Sequence, residues 1–103
     1  MIKVTVLYGQ PDEPTIFDKY FTEIHTIIAM KIPNLERFDV TKFLPGPDGS
    51  TPSWYRMAEL YFKDEETLQA AFRSEEGMAA TGDIPNFATG GTTMLIGSWQ
   101  NLV

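Results

Sequence analysis

The stretch Trp54-Tyr-Arg-Met-Ala-Glu-Leu-Tyr-Phe62 constrains this chain more than any other. Its period-two pattern and aromatic content argue for a β-strand. Trp54, Arg56, Ala58, Leu60 and Phe62 fall on one side, and Tyr55, Met57, Glu59 and Tyr61 on the other. Both sides are largely apolar, so both need cover. Whatever sheet contains this strand must have a layer on each face.

The flanking sequence supplies one layer. Ile2, Val4, Val6 and Tyr8 alternate with Lys3, Thr5 and Leu7 as a first strand, broken by Gly9 to Pro14. Asp12 or Glu13 is placed to cap a helix with Pro14 in its first turn, where a missing N–H costs nothing. That helix runs to about Met30. Ile16, Phe17, Tyr20, Phe21, Ile24, Ile27 and Ile28 recur at three- and four-residue spacing, with Asp18, Lys19 and Glu23 left for the wet face. Pro33 stops it. Glu36 to Leu44 alternates again as a second strand. Five of the eight residues from Pro45 to Pro52 are Gly or Pro, which marks a loop over 45–53. After the Trp54–Phe62 strand, Asp64 caps a second helix with Leu68, Ala71 and Phe72 facing inward. Ser74 to about Asp83 is a further helical piece ended by Gly82, with Ala79 and Ala80 packing. Ile84 to Phe87 is a loop, and a last strand from Thr89 or Thr92 to Trp99 is interrupted by Gly97. The order strand–helix–strand–strand–helix–strand predicts a single α+β domain over 1–103, a ferredoxin-like βαββαβ sandwich.

Two helices can cover only one face of such a sheet. The open face should be polar, yet the Trp54–Phe62 strand is aromatic and aliphatic on both sides, and the last strand adds Met94 and Ile96 on one side and Leu95 and Trp99 on the other. With 43% hydrophobic and 13% aromatic residues in 103, the chain has apolar surface to spare. The expected cover is an identical sheet in a twofold homodimer, giving a dimeric α/β barrel. The polar, glycine-rich loop at 45–53 is a poor substitute lid.

Charge excludes other partners. Eight Lys and Arg stand against 14 Asp and Glu, a net charge of −6 with no basic cluster. Nucleic acid and anionic membrane surfaces are therefore not expected partners. No apolar run approaches the ~20 residues that span a bilayer. The opening Met-Ile-Lys-Val-Thr-Val-Leu-Tyr is too short and too alternating for a signal peptide. The absence of cysteine removes thiolate and disulfide chemistry. A cytoplasmic protein is the expectation.

Several motifs together resemble the EthD family, small proteins named for a gene set for ethyl tert-butyl ether degradation and grouped with the dimeric α/β barrels. They are Lys3 to Tyr8, Phe17-Asp-Lys-Tyr-Phe21 with His25, and Lys31-Ile-Pro-Asn-Leu35. Ala58 to Phe62, Ser74-Glu-Glu-Gly77 and Asn86-Phe-Ala-Thr-Gly-Gly91 follow in the family's order. Phe21 stands where the family commonly has a second Tyr, and Ile27 where it has Pro. The resemblance implies a pocket for an aromatic or lactone molecule near a His or Tyr, as in related polyketide cyclases, monooxygenases and muconolactone isomerases. Many of these need no cofactor. No nicotinamide or flavin fingerprint is present either: neither Gly90-Gly91 nor Gly46-Pro-Asp-Gly49 is GxGxxG. No cofactor is expected, and a reductase activity is not supported.

His25, the only histidine, is the candidate catalytic acid or base, since histidine titrates near neutrality. Tyr20 and Glu59 are weaker catalytic candidates. Phe21, Ile28, Tyr55, Met57 and Tyr61 are the candidate pocket. Each has a plainer reading: a structural histidine bonded to backbone, aromatic packing, and for Glu59 an ion pair with Arg56 or Lys42. One His without Cys makes a metal site or haem ligation unsupported, and no metal is expected. The expected function is binding of a small hydrophobic or aromatic intermediate, with oxidoreductase, cyclase or isomerase chemistry at His25. The alternative is a non-catalytic accessory protein of a degradation pathway. A cavity of about 300 Å³ opening onto His25 favours the enzyme. A filled interior with His25 bonded to backbone favours the accessory.

Overall fold

The computed structural model describes residues 1–103. Strand β1 (Ile2–Gly9) leads into helix α1 (Pro14–Tyr20), one stretch of π-helix (Phe21–His25) and the short helix α2 (Thr26–Ala29). Strands β2 (Arg37–Lys42) and β3 (Trp54–Phe62) follow, then helices α3 (Glu65–Arg73) and α4 (Glu75–Asp83), a 3₁₀ turn (Ile84–Asn86) and strand β4 (Thr92–Ser98). The four strands form one antiparallel sheet in the order β2-β3-β1-β4. This is the ferredoxin-like α+β sandwich. No helix is long and apolar enough to cross a membrane.

Local chemistry sets the ends of the elements. Pro14 opens α1, but Glu13 at its N-cap makes no side-chain capping bond. Pro33 follows α2, and Asn34 takes φ 60°, a left-handed conformation that asparagine tolerates and that turns the chain toward β2. Asp64 accepts from the Thr67 N–H at 2.8 Å and caps α3. Ser74 accepts from the Gly77 N–H at 3.0 Å and caps α4. Helix α4 continues through Gly82 to Asp83, and Gly97 stays within β4, paired with Lys3. Neither glycine breaks its element, because each has a helical or ladder position that needs no side chain.

The first helical segment departs from the expected stripe. The buried positions are Phe17, Phe21, His25 and Ala29, spaced by four, whereas Ile16, Ile24 and Ile27 are exposed. In an ideal α-helix a four-residue step overshoots one turn by about 40°, so such a row drifts off the core. The wider π-helical turn, in which the Thr26 N–H reaches the Phe21 carbonyl, absorbs that drift. It is why His25, rather than Ile24, faces inward.

A β-bulge departs from simple alternation in β3. Tyr8 pairs with Arg56 but Gly9 pairs with Trp54, so Tyr55 is the surplus residue. Its ring packs edge-on against Phe17 at 5.2 Å, and its hydroxyl donates to Asp18 at 2.8 Å. Tyr55 and Arg56 thus reach the same helix. Asp18, expected on the wet face, receives Arg56 at 2.8 Å and Lys42 at 3.0 Å as well.

The core lies between the helices and the face of the sheet carrying Val4, Val6, Tyr8, Ala58, Leu60 and Phe62. On the opposite face Tyr61 is buried, by the Trp99 ring at 5.2 Å and by Lys3 and Arg37 over its own ring. Cover is incomplete elsewhere: Leu95 of that face is 54% exposed and every residue of β4 is exposed.

Candidate functional site

The π turn delivers His25 into the aromatic core. Phe87 lies 4.6 Å from its ring and Phe21 5.8 Å, centroid to centroid. Phe87 is held there by a close backbone crossing. The Gly9 N–H donates to the Gly91 carbonyl at 2.9 Å, and a Cβ on Gly9 would lie 2.2 Å from the Gly90 carbonyl oxygen. Only glycine lets the segment after Asp83 pass so close to the end of β1.

His25 is bonded to a carboxylate, not to backbone. Its Nδ1 lies 2.9 Å from Asp83 Oδ2, and both residues are buried. An ionised carboxylate only accepts, so the Nδ1 carries the proton of this bond. The hydroxyl of Tyr20 donates to Asp83 Oδ1 at 2.5 Å, and Asn86 Nδ2 donates to the same oxygen at 3.0 Å. Burial pushes the Asp83 carboxyl up, but the bonds from Tyr20, Asn86 and His25 outweigh it and hold it below its ordinary value. Asp83 therefore stays ionised around neutrality and fixes the tautomer and orientation of His25.

The other nitrogen, Nε2, is left for chemistry. Tyr8 Oη is 3.5 Å away, a long contact of the kind that tightens when a ligand binds. Burial, with a smaller contribution from the Asp83 charge and against the pull of Arg56, raises the Tyr8 phenol, so it remains a neutral donor. Tyr8 and His25 together wall a narrow cavity of about 20 Å³, lined otherwise mainly by apolar side chains including Ala58, Leu60, Phe72 and Met94. That is room for about one water molecule. No cluster of three or more His, Cys, Asp or Glu side chains is placed to hold a metal.

The expected site residues separate into groups. Tyr20 joins His25 through Asp83, and Phe21 lies beside the imidazole. Ile28 is half-buried away from the cavity, lining a shallow groove with Lys31, Glu75 and Glu76. Tyr55 is drawn by the bulge to Phe17 and Asp18. Met57, Glu59 and Tyr61 lie on the opposite sheet face, because β3 residues at odd positions beyond the bulge point away from the helices. Glu59 pairs with Lys3 at 2.5 Å, not with Arg56 or Lys42, both of which are engaged by Asp18. Asp83, Tyr8 and Asn86 were not foreseen. Asn86 sits in the Asn86–Gly91 motif, but a sequence separation of 58 between His25 and Asp83 leaves no local spacing to read.

The EthD domain model matches residues 11–91. The chain belongs to the EthD family. An uncharacterised 11.0 kDa protein from the thcB-thcC intergenic region of Rhodococcus erythropolis is 40% identical over 95 residues, covering 92% of this chain and 91% of that protein. The crystal structure of an EthD family protein from Bacillus halodurans superposes with a TM-score of 0.91 at 36% identity, covering 97% of this chain and 99% of that one. More distant structures share the fold alone. SnoaB, a cofactor-independent oxygenase from Streptomyces nogalater, has a TM-score of 0.64 at 13% identity, covering 98% and 94% of the two chains. A dimeric ferredoxin-like protein from Bacteroides fragilis has 0.68 at 16%, covering 95% of each.

Proposed function

We propose that this EthD protein is a cofactor-independent acid–base enzyme acting on a small hydrophobic or aromatic catabolic intermediate. His25 takes and returns a proton at an acidic C–H or phenol of the substrate, as isomerisation, cyclisation or cofactor-free oxygenation requires. The observation that carries this reading is the buried His25–Asp83 pair, which leaves Nε2 beside the Tyr8 hydroxyl and a cavity. A carboxylate behind an imidazole holds one tautomer and stabilises the imidazolium that forms after proton uptake, while a neutral phenol can steady developing oxyanion charge. Distant fold similarity to an oxygenase that works without cofactor is consistent with such chemistry.

The test is deuterium exchange from D2O into a panel of small aromatic 1,3-dicarbonyl compounds and unsaturated lactones, followed by proton NMR. Wild-type protein is expected to accelerate exchange for at least one, and His25→Gln to lose the acceleration by about a hundredfold or more. Equal rates for the two proteins would end the acid–base reading. One observation favours a non-catalytic accessory instead: beside His25 the cavity is only about 20 Å³. That reading expects no exchange with any compound.

We also propose that the chain works as a homodimer through the open sheet face. The exposure of Leu95, in a strand with no residue buried, supports this, as does the dimeric state of a protein with the same fold. Light scattering after size exclusion should give twice the 11.6 kDa chain mass, and Leu95→Glu should shift the protein to monomer. A wild-type monomer at high micromolar concentration would sink the dimer.

A further inference from the structure

The cavity at His25 is too small for an organic molecule, but a larger space shares part of its wall. A groove of about 450 Å³ runs between β4 and α3, and Phe72, Thr81 and Met94 line both it and the inner cavity. Its volume is that of a small-molecule site. Val4, Leu68, Phe72, Met94 and Ile96 make it apolar, and one cation, Arg73, stands in its wall beside Gln69.

Arg73 is the one arginine of three without a carboxylate partner, and unlike the unpaired Lys63 it lines a groove. Lys3, Arg37, Lys42 and Arg56 each pair with a carboxylate, and Arg73 pairs with none. Lys19 and Lys31 line other grooves, but those walls also hold Glu23, Glu75 and Glu76. The Arg73 groove has no acidic residue in its lining. In a protein of net charge −6, an unpaired guanidinium on an otherwise apolar wall is a local exception. Its planar fork matches a carboxylate through two parallel hydrogen bonds.

We infer that the groove binds an amphipathic organic acid. The apolar body lies on Phe72, Met94 and Ile96, the carboxylate meets Arg73, and the far end passes Thr81 toward Tyr8 and His25. This deepens the proposed function, and rests on it only for which end of the molecule reaches the imidazole. Met94 is suited to the junction, since its unbranched side chain can swing to widen the passage.

The test uses a matched pair of probes, 4-phenylbutyrate and 4-phenylbutan-1-ol, titrated into the full chain at pH 7 and followed by the Met94 methyl resonance. Both should shift it saturably. The carboxylate should bind on the order of tenfold tighter, as hydrogen bonds to a charged group allow. Arg73→Gln should abolish that preference while leaving the alcohol's affinity unchanged, and Arg73→Lys should keep part of it. Equal affinities in the wild type, a preference that survives Arg73→Gln, or no saturable shift at Met94 would each overturn the inference. The same titration on His25→Gln should retain the preference. Failure of proton exchange therefore leaves this result standing, and failure here leaves the exchange result standing.

Discussion

Two aspartates organise the helix layer, and they are nearly the same object. Asp18 on α1 and Asp83 at the end of α4 each accept a tyrosine hydroxyl and each bind a nitrogen base. In both, burial pushes the carboxyl up and the hydrogen bonds more than reverse it. The difference lies in the partners. Asp18 faces Arg56 and Lys42, whose charges are permanent at physiological pH, and its side chain is 30% exposed. Asp83 faces the imidazole of His25, a side chain able to take up and release a proton, and is 7% exposed. The first arrangement clamps α1 to the edge of β3. The second holds a group whose protonation state can change without breaking its support. Similar geometry with a different base turns a clamp into a candidate proton-transfer site.

Breaking each hub separately tests that contrast. Asp83→Asn keeps the shape but no longer favours the Nδ1–H tautomer, and should cost about a thousandfold or more in any His25-dependent turnover, with a smaller loss of stability than Asp18→Ala. Turnover kinetics alongside urea denaturation would show it. Asp18→Ala should do the opposite. It strands Arg56, 11% exposed in its side chain, and should cost about 3 kcal/mol by urea denaturation. Its effect on His25 chemistry should be small. Similar activity losses in the two variants would dissolve the distinction.

Acid provides a milder probe of both hubs. A carboxyl whose folded value lies below its unfolded value stabilises the fold above the unfolded value, and that stability fades as pH falls through the folded one. Both hubs therefore predict stability that is flat near neutrality and declines below about pH 4. Denaturation midpoints from pH 6 to pH 2.5 should show this limb, and Asp18→Asn should make it shallower. The smallest effect belongs to Arg37→Ala. Arg37 pairs with Asp39 on the exposed side of β2, where water screens the pair, and its loss should leave the urea midpoint unchanged within error.

The order of elements was legible because each announces itself locally, through period-two alternation, a proline stop, or the Asp64 and Ser74 caps. Two single-residue irregularities were not. The surplus Tyr55 looks like any alternating residue, since a bulge is defined by the partner strand and leaves no mark on its own. The π turn is equally silent: Ile16, Ile24 and Ile27 share the three- and four-residue spacing of the buried row, so periodicity alone does not say which of these positions face water. His25 itself was legible as the sole histidine. Asp83 and Tyr8 were not, because only the folded topology brings the end of α4 and the end of β1 to the same imidazole.

The π turn also makes the local helix and the site rivals. Thr22 and Glu23 both lie on its exposed side. Deleting one would leave a more regular helix by every intrinsic measure, while pulling His25 about a quarter-turn or more around the axis, away from Asp83. Selection for helical regularity would thus erase the dyad, so the irregular turn is a register mark. A variant that lost it could fold well, express well and carry every site residue, and still have no site.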